Sequence, residues 1–372
     1  MENKSPRDSL PKTMQAFVLE GHGGLDKLVM HDDWPVPVPA HNEVLIKVAA
    51  CGLNNTDVNT RSGWYSKTVT AATTGDAYAQ VSSEDPTWGG APISFPRIQG
   101  ADVAGTVVAV GAGVNTDLVG KRVITDNWLR DWDKPMDYAS TGYFGSECDG
   151  GFAEYTTLDY RNVGAIDSEL SFAELATFSC SYTTAEGMLT RANVSERDTV
   201  LVTGASGGVG SALIQLAKRR GARVIGLASP EKQSNLLSLG ADAVLPRHPE
   251  NLHEALKKAI GADAVSVVAD IVGGDYFGNL VDVLERGGRY TCSGAIAGPI
   301  VSLDLRTLYL RDLTFTGSTV VPPHVFKDMI GYIEHGEVVP IVAATYPLRE
   351  LHAAQQAFID KKYVGNIVVT MD

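Results

Sequence analysis

The strongest constraint on this chain is a glycine-rich string that directly follows a short apolar run. The run is Thr199–Thr203, and the string begins Gly204-Ala-Ser. A strand, a glycine-rich turn and a helix in this order are typical of a dinucleotide-binding unit, in which the helix N-terminus faces the phosphates. Gly207 would let the backbone approach a pyrophosphate, and Gly210 would allow close packing of helix against strand. We predict a nucleotide site formed by Gly204, Ser206, Gly207, Gly208, Val209 and Gly210; the alternative is a turn that binds no ligand.

The sequence around this string alternates buried strands with helical stretches. Further strands are predicted at Arg223–Ala228, Ala243–Leu245, Val265–Val272, Arg289–Ser293 and Leu313–Gly317. Helices are predicted at Ser211–Arg220, Glu231–Leu239, Tyr276–Glu285 and Val325–Glu334. This alternation, from Ser171 onward, indicates a parallel, doubly wound sheet.

The segments on both sides of this block have a different pattern. From Met14 to about Val163, short apolar runs are broken by Gly, Pro and Asn, as in a barrel or sandwich. Short segments return from Val338 and end in a strand at Gly365–Thr370. The predicted fold class is therefore α/β plus β. Residues 1–170 and 338–372 would form a β-rich domain, and residues 171–337 a Rossmann domain.

Two stretches of the β-rich half look like insertions. Ser66–Ser94 is polar and rich in small residues, and Asn127–Gly150 is rich in aromatic and acidic residues. Long irregular segments in a compact domain are usually functional or disordered. We expect both to shape the mouth of an active site; the alternative is that they are mobile surface excursions.

Charge and cysteine usage limit the class of partner. The 372 residues include 31 Lys and Arg against 44 Asp and Glu, a net charge of −13, with no basic run, so we expect no nucleic-acid partner. The four cysteines are far apart and form no CxxC pair. The sequence has neither a signal-peptide core nor a stretch of about 18 apolar residues. We expect a cytoplasmic protein with a small-molecule substrate and no membrane partner.

The end of the second strand of the nucleotide unit bears on the choice of cofactor. An NAD site usually has an acidic residue there, which binds the ribose hydroxyls. Here the strand ends in Ser229, followed by Lys232, and Arg247 follows the third strand. These side chains would bind a 2′-phosphate, so we predict NADPH rather than NADH. The alternative is that Lys232 and Arg247 are ordinary solvated charges.

Five motifs together resemble the medium-chain dehydrogenase/reductase superfamily, in its zinc-free quinone oxidoreductase-like branch. They are Cys51-Gly-Leu-Asn-Asn-Thr-Asp57, Gln99-Gly-Ala-Asp-Val-Ala-Gly-Thr106, Gly150-Gly-Phe-Ala-Glu-Tyr155, the string from Gly204 to Gly210, and Tyr363-Val-Gly-Asn-Ile-Val368. The resemblance covers nearly the whole chain. It implies a GroES-like catalytic domain joined to a Rossmann domain. It also implies a homodimer that pairs at the edge of the Rossmann sheet, for which Leu303–Phe315 is the candidate segment; its apolar residues could equally be core.

The resemblance also implies that this chain lacks a catalytic metal. Zinc alcohol dehydrogenases of the superfamily use a Cys, a His beside a Glu, and a second Cys. The corresponding positions here are Asn54, Ala101 beside Asp102, and Cys180. Because a catalytic zinc needs about three protein ligands, we expect none.

The same resemblance assigns the remaining site residues. Asn54, Thr56 and Tyr65 would act on the substrate, by donating a hydrogen bond or a proton, and Asp57 would orient its neighbours. Thr184, Gly294, Ala295 and Asn366 would lie at the nicotinamide. The three substrate-side residues have simpler alternatives. Asn54 could only cap a turn, Thr56 could form a hydrogen bond to local backbone, and Tyr65 could only pack against its neighbours.

The predicted function is hydride transfer from NADPH to a quinone or an α,β-unsaturated carbonyl compound without a metal. Such acceptors delocalise the developing charge, so they need no Lewis acid. One alternative is an alcohol or aldehyde dehydrogenase of the same superfamily. Another is a non-catalytic nucleotide-binding protein.

Overall fold

The computed structural model describes residues 10–73, 81–82, 84–85, 87 and 89–371. Parts of the predicted insertion 66–94, namely 74–80, 83, 86 and 88, therefore lie outside the described residues. The strands of the first half are β1 Thr13–Leu19, β2 Leu28–Pro35, β3 Glu43–Gly52, β4 Asp102–Val110, β5 Arg122–Thr125, β6 Trp128–Leu129, β7 Gly142–Tyr143, β8 Tyr155–Asp159 and β9 Val163–Ala165, with helix α1 Asn55–Ser62 between β3 and β4.

The second half alternates helices and strands before a last β-α-β segment. Its helices are α2 Phe172–Leu175, α3 Ser179–Arg191, α4 Gly208–Arg219, α5 Gln233–Ser238, α6 Leu252–Ile260, α7 Phe277–Asp282, α8 Leu305–Leu310, α9 Pro323–Glu334 and α10 Leu351–Asp360. Its strands are β10 Thr199–Val202, β11 Arg223–Leu227, β12 Ala243–Leu245, β13 Val265–Asp270, β14 Leu284–Cys292, β15 Thr314–Gly317, β16 Val342–Pro347 and β17 Asn366–Thr370.

Six strands of the second half form one parallel sheet in the order β12-β11-β10-β13-β14-β15. The order reverses between β10 and β13, so a crevice opens at the carboxyl ends of these two strands. The glycine-rich string follows β10 and leads into α4 at this point. The predicted α/β fold class, with a doubly wound parallel sheet, is confirmed.

The other large sheet has seven strands, in the order β16-β17-β3-β4-β5-β9 with β8 on β3. Its C-terminal strand pairs antiparallel with β3, Val368 opposite Gly52 and Thr370 opposite Ala50. The end of the chain therefore supplies strands to the sheet of the first half. The predicted domain limits at 170/171 and 337/338 stay a prediction.

Several predicted element bounds are wrong, and the structure gives a physical reason for each of the following three. α4 begins at Gly208, three residues before the predicted Ser211, because Gly207 already serves as its N-cap. β13 ends at Asp270 because this carboxylate accepts the N–H groups of Val272 and Gly273 and turns the chain. The predicted helix over 276–285 ends at Asp282, since Leu284 pairs with Val265 at the start of β14. The alternation in sequence did not predict α3 or α6.

Among the described residues, none of the helices has both the length and the apolar character that crossing a membrane would require. The predicted cytoplasmic location stays a prediction.

The turn from β10 into α4 has no space for a side chain at Gly210. A Cβ there would lie 2.2 Å from the Gly204 carbonyl oxygen and 2.7 Å from the Ala205 Cα, both backbone atoms. We expect Gly210→Ala to lower the free energy of unfolding by about 1 to 3 kcal/mol, because the turn must shift. Urea unfolding followed by circular dichroism measures this. Gly278→Ala in α7 is the matched control, since a Cβ there meets nothing within 4 Å; equal stability of the two variants would contradict the close packing.

Candidate active site

A cleft of about 340 Å³ lies at the carboxyl ends of β10 and β13. Five of the six predicted loop residues line it: Gly204, Ser206, Gly207, Gly208 and Val209. The sixth, Gly210, packs beneath the loop instead. Thus the loop faces the cleft, and Gly210 supports it without contacting the space.

The loop is held against the C-terminal strand segment. The Gly365 N–H donates to the Ser206 carbonyl oxygen at 2.9 Å. A Cβ on Gly208 would lie 2.1 Å from Asn366 Oδ1 and 2.4 Å from Ser181 Oγ, so only glycine fits there. A Cβ on Gly207 would meet only the Gly204 carbonyl oxygen, at 3.5 Å, so no protein group fills the space in front of it. This open cradle fits the close approach of a pyrophosphate.

Ser229, Lys232 and Arg247 come together at one end of the cleft, as predicted. All three line an adjoining cavity, and Lys232 and Arg247 also line the cleft itself. The adjoining cavity carries four cationic side chains, Lys232, Arg247, Lys361 and Lys362, against two acidic ones, Glu231 and Asp360. The Ser229 Oγ is buried and lies close enough to the Glu231 carboxylate to help lower the pKa of that group. An anionic group with acceptor oxygens fits this end of the cleft.

Lys232 is not an ordinary solvated charge. Its side chain is buried, and its ammonium donates to the carbonyl oxygens of Lys361 and Tyr363, both at 2.9 Å. Desolvation and the nearby Arg247 lower the pKa of Lys232. Lys232 therefore ties the start of α5 to the C-terminal segment, while its charge remains next to the cleft.

Sequence reasoning missed Lys361, which reaches into the cleft. Its ammonium donates to Asn55 Oδ1 at 3.0 Å and lies 3.7 Å from the centre of the Phe358 ring. Lys361 as a whole is solvent-exposed because it faces the open cleft. Its ammonium is nevertheless desolvated, and this desolvation, together with the charge of Lys232, lowers the pKa of Lys361. The only available signal was that Lys361 and Lys362 directly precede the motif ending in Val368.

A second cavity of about 310 Å³ opens from the cleft and contains the remaining predicted residues. Asn54, Thr56, Tyr65, Thr184, Gly294, Ala295 and Asn366 all line it. Gly208, Val209 and Ile271 line both spaces, so the two are continuous. The structure thus brings every predicted substrate-side residue to the end of the nucleotide cleft.

Asn54 occupies the N-cap of α1. Its backbone N–H donates to Asp57 Oδ2 at 2.8 Å, which is half of a capping box. Its Nδ2 is buried without a hydrogen bond of ordinary geometry, although the amide lies close enough to Asp102 to affect that carboxyl group. Asn54 therefore caps a helix and also holds its side-chain amide near the buried Asp102 carboxyl group at the cavity wall.

Thr56 and Asn59 lie one turn apart on α1, and both direct their side chains to the Tyr65 hydroxyl. Desolvation raises the pKa of Tyr65, and these two partners oppose the rise. The Asn59 Oδ1 is buried and has no hydrogen-bond partner among the described residues. Tyr65 is therefore a protonated hydroxyl at neutral pH, held by two α1 side chains at the cavity wall.

Asn366 is anchored by both ends of its amide. Its Oδ1 accepts a hydrogen bond from Ser181 at 3.0 Å, and its Nδ2 donates to the Thr177 carbonyl oxygen at 3.1 Å. Asn366 therefore joins β17 to the start of α3 at the point where the cavity begins.

Two carboxyl groups, Asp57 and Asp102, are buried close to Asn54. The Asp102 carboxyl group accepts a hydrogen bond from the Cys180 backbone N–H at 3.0 Å. The Asp57 carboxyl group accepts one from the Asn54 backbone N–H at 2.8 Å. Desolvation raises the pKa of Asp57 to about 7 and that of Asp102 to about 8, even though these donors favour the charged forms. At pH 7 Asp102 is therefore mostly protonated, whereas Asp57 is near the midpoint of its titration.

The positions that hold zinc in the metal-dependent relatives lie near one another here, but their side chains differ. Asn54 and Cys180 line the cavity, and Cys180 also packs against the buried cluster that contains Ala101, Trp128 and Tyr143. The Tyr143 hydroxyl donates to Cys180 Sγ at 3.4 Å, and desolvation raises the pKa of Cys180 to about 12. Within the described ranges, no group of three His, Cys, Asp or Glu side chains could hold a metal ion. Metal-free chemistry stays a prediction.

Comparison with known proteins agrees with this geometry. Residues 40–168 match the family model for the alcohol dehydrogenase GroES-like domain, and residues 208–335 match that for zinc-binding dehydrogenase. The chain is 28% identical over 368 residues to acryloyl-coenzyme A reductase of Metallosphaera sedula (96% of this chain, 100% of the relative). It is 28% identical over 354 residues to quinone oxidoreductase of Lama guanicoe (93% of each chain).

Two further comparisons reach higher identity. A chloroplastic NADPH-dependent alkenal/one oxidoreductase of Arabidopsis thaliana is 30% identical over 365 residues (97% of this chain, 80% of the relative). The crystal structure of a putative alcohol dehydrogenase from Sinorhizobium meliloti 1021 superposes with a TM-score of 0.89 at 46% identity, covering 99% of each chain.

The raised pKa of Asp102 predicts a pH-dependent stability difference. The folded state holds a proton on Asp102 up to about pH 8, whereas the unfolded chain releases it near pH 4, so the fold loses stability as the pH rises through this window. Relative to wild type, Asp102→Asn should gain about 1 to 3 kcal/mol between pH 5 and pH 9. Urea unfolding at pH 5, 7 and 9 measures this, with the exposed Asp33→Asn as control. A difference that does not change with pH would show that Asp102 titrates normally.

Proposed function

This chain belongs to the medium-chain dehydrogenase/reductase superfamily, in its quinone oxidoreductase-like branch, and it is an oxidoreductase of a pyridine-nucleotide-dependent family. From that premise we propose that it uses NADPH to reduce a quinone or an α,β-unsaturated carbonyl compound without a metal ion. The observation that carries the proposal is the continuity of the nucleotide cleft with a cavity lined by the hydroxyls of Thr56 and Tyr65.

The glycine-rich loop and the cationic end of the cleft would hold the cofactor. Gly207 and Gly208 leave room at the start of α4 for the pyrophosphate, and Ser229 and Arg247 would bind a 2′-phosphate. Thr184, Gly294 and Ala295 would border the nicotinamide. When bound, the nicotinamide supplies the hydride.

The side chains of α1 and the loop after it would manage the charge that develops on the substrate. The Thr56 and Tyr65 hydroxyls and the Asn54 amide, which all line the cavity, would donate hydrogen bonds to the acceptor oxygen. Since the pKa of Tyr65 is raised, its hydroxyl retains the proton that this oxygen or the neighbouring carbon needs. The protonated Asp102 would add no repulsion to the developing anion.

Relatives support the acceptor class. Their names include quinone oxidoreductase, alkenal/one oxidoreductase and acryloyl-coenzyme A reductase, all of which act on conjugated acceptors. An alcohol dehydrogenase reaction remains the second candidate, because residues 208–335 match the zinc-binding dehydrogenase model. Turnover that requires added zinc and is abolished by a chelator would favour that candidate.

We further propose that two copies pair at the β15 edge of the six-stranded sheet. Leu305, Tyr309 and Leu310 on α8 beside this edge are exposed, whereas Leu308 and Leu313 pack on the core. The predicted apolar segment 303–315 therefore divides into a core-facing and a solvent-facing set. Sedimentation of the wild-type protein tests the pairing, and a monomer at micromolar concentration would disprove it.

The choice of cofactor is tested by fluorescence titration of metal-stripped protein with NADPH and NADH. Wild type should bind NADPH more tightly. Arg247→Met should raise the Kd for NADPH about tenfold, which is the effect of losing one charge-assisted contact. It should change the Kd for NADH less than about twofold. Lys257→Met on the exposed face of α6 is the control. Binding of neither nucleotide would overturn the central proposal, and a preference for NADH would show that Ser229 and Arg247 are misassigned.

The role of Tyr65 is tested by Tyr65→Phe in NADPH oxidation with quinone and enone acceptors. Loss of the hydroxyl should lower kcat by about 10²-fold, the usual contribution of a positioned proton donor, and leave the Kd for NADPH unchanged. Tyr160→Phe, at a surface position, serves as the matched control. An unchanged kcat for Tyr65→Phe would mean that Tyr65 only packs.

A further inference from the structure

The substrate cavity has two aromatic walls. One wall is the Trp64–Tyr65 pair after α1, with ring centres 5.8 Å apart. The other is the Trp128–Tyr143 pair, with ring centres 5.3 Å apart, directly opposite each other on β6 and β7. All four side chains line the cavity. Trp128 and Tyr143 lie within the predicted insertion 127–150, and Trp64 and Tyr65 directly precede the predicted insertion 66–94.

Both walls are fixed in place. The Trp64 indole N–H donates to the Ala71 carbonyl oxygen at 2.9 Å, and the Trp64 backbone N–H donates to that of Asn59 at 2.8 Å. Trp128 and Tyr143 are almost fully buried and pack on Val320, Val321 and Val325 before and within α9. Aromatic surfaces that are already ordered bind a flat partner at little entropic cost.

The lining of this cavity is electrically neutral. Among the described residues it contains no Lys, Arg, His, Asp or Glu side chain. Its ionisable groups are Tyr65, Tyr143 and Cys180, and desolvation raises the pKa of each, so all three stay protonated at neutral pH. Without a charged partner, transfer of an ionic group from water into this space is costly.

We propose that Trp128 is the specificity-determining side chain of this cavity, and that its ring makes the cavity prefer a flat, uncharged ring acceptor to an open-chain acyl-coenzyme A thioester. The inference rests on the proposed reductase function and narrows its substrate class. The ring would lie between the two aromatic walls, against Val209 and Ala295 on the nicotinamide side.

The reaction balances with the groups already named. One quinone, one NADPH and one proton give one hydroquinone and one NADP⁺. The hydride delivers two electrons and one hydrogen. The second hydrogen is a proton, which the Tyr65 hydroxyl would pass to the quinone oxygen and recover from solvent.

Acyl-coenzyme A thioesters fit this cavity poorly. Their reactive end is a flexible chain that cannot cover an aromatic wall as a ring does. Among the described residues, the lining of this cavity has no Lys or Arg side chain to bind their phosphates. This chain would therefore differ in substrate from acryloyl-coenzyme A reductase, which it resembles at 28% identity.

The test compares kcat/KM for 1,4-naphthoquinone, but-2-enal and acryloyl-coenzyme A, with NADPH, for wild type, Trp128→Leu and Trp128→Phe. Wild type should prefer naphthoquinone to acryloyl-coenzyme A at least about tenfold. Trp128→Leu should lower kcat/KM for naphthoquinone about tenfold and that for but-2-enal less than about threefold, and Trp128→Phe should restore part of the loss.

Trp132→Leu is the matched control, because Trp132 lies in the same excursion but lines a different cavity, with its indole N–H donating to Asn162. A wild-type preference for acryloyl-coenzyme A, or equal losses on both substrates in Trp128→Leu, would overturn the inference. If Trp128→Leu does not fold, the wild-type ratio and Trp128→Phe decide. No oxidation of NADPH by any acceptor would instead disprove the proposed function, whereas but-2-enal turnover without a ring preference would disprove this inference alone.

Discussion

The site depends on one junction, where the C-terminal segment meets the glycine-rich loop. The Gly365 N–H bonds to Ser206, and Asn366 is held by Ser181 and Thr177 while it presses on Gly208. Lys232 adds two hydrogen bonds to the same segment. The loop belongs to the six-stranded sheet and the C-terminal segment to the seven-stranded one, so this junction joins the two sheets at the cleft. The nucleotide cleft and the substrate cavity are continuous across it.

A second constraint is the removal of charge from the substrate side. Asp57 and Asp102 are buried where ionisation is unfavourable, and Cys180 and Tyr143 share a hydrogen bond. Among the described residues, the lining of this cavity contains no Lys or Arg side chain. Positive charge is concentrated at the other end of the cleft, around Lys232 and Arg247. Such a division gives the anionic part of a dinucleotide and a neutral acceptor separate environments within one crevice.

Much of this arrangement follows from local sequence, and the rest depends on distant packing. The glycine string and the βα alternation predicted the parallel sheet and the loop residues of the cleft, because turn chemistry and periodicity are local. The end of β13 follows from the local turn at Asp270, but the end of the predicted helix over 276–285 depends on the pairing of Leu284 with Val265, which no short window contains. Lys361 reaches the cleft only because the C-terminal helix docks beside α1, and Asn54 and Asn59 have unsatisfied amide atoms that only the folded surroundings reveal.

The pairing of β17 with β3 also sets an order of assembly. Val368 lies opposite Gly52, 316 residues earlier (368 − 52), so this contact is among the most non-local in the chain. Closing so long a loop is entropically costly and slow compared with forming the successive βα units. During synthesis the parallel sheet can be complete before the last strand has left the ribosome, whereas the cavity cannot. The cavity is therefore completed after the parallel sheet, when β17 is inserted beside β3.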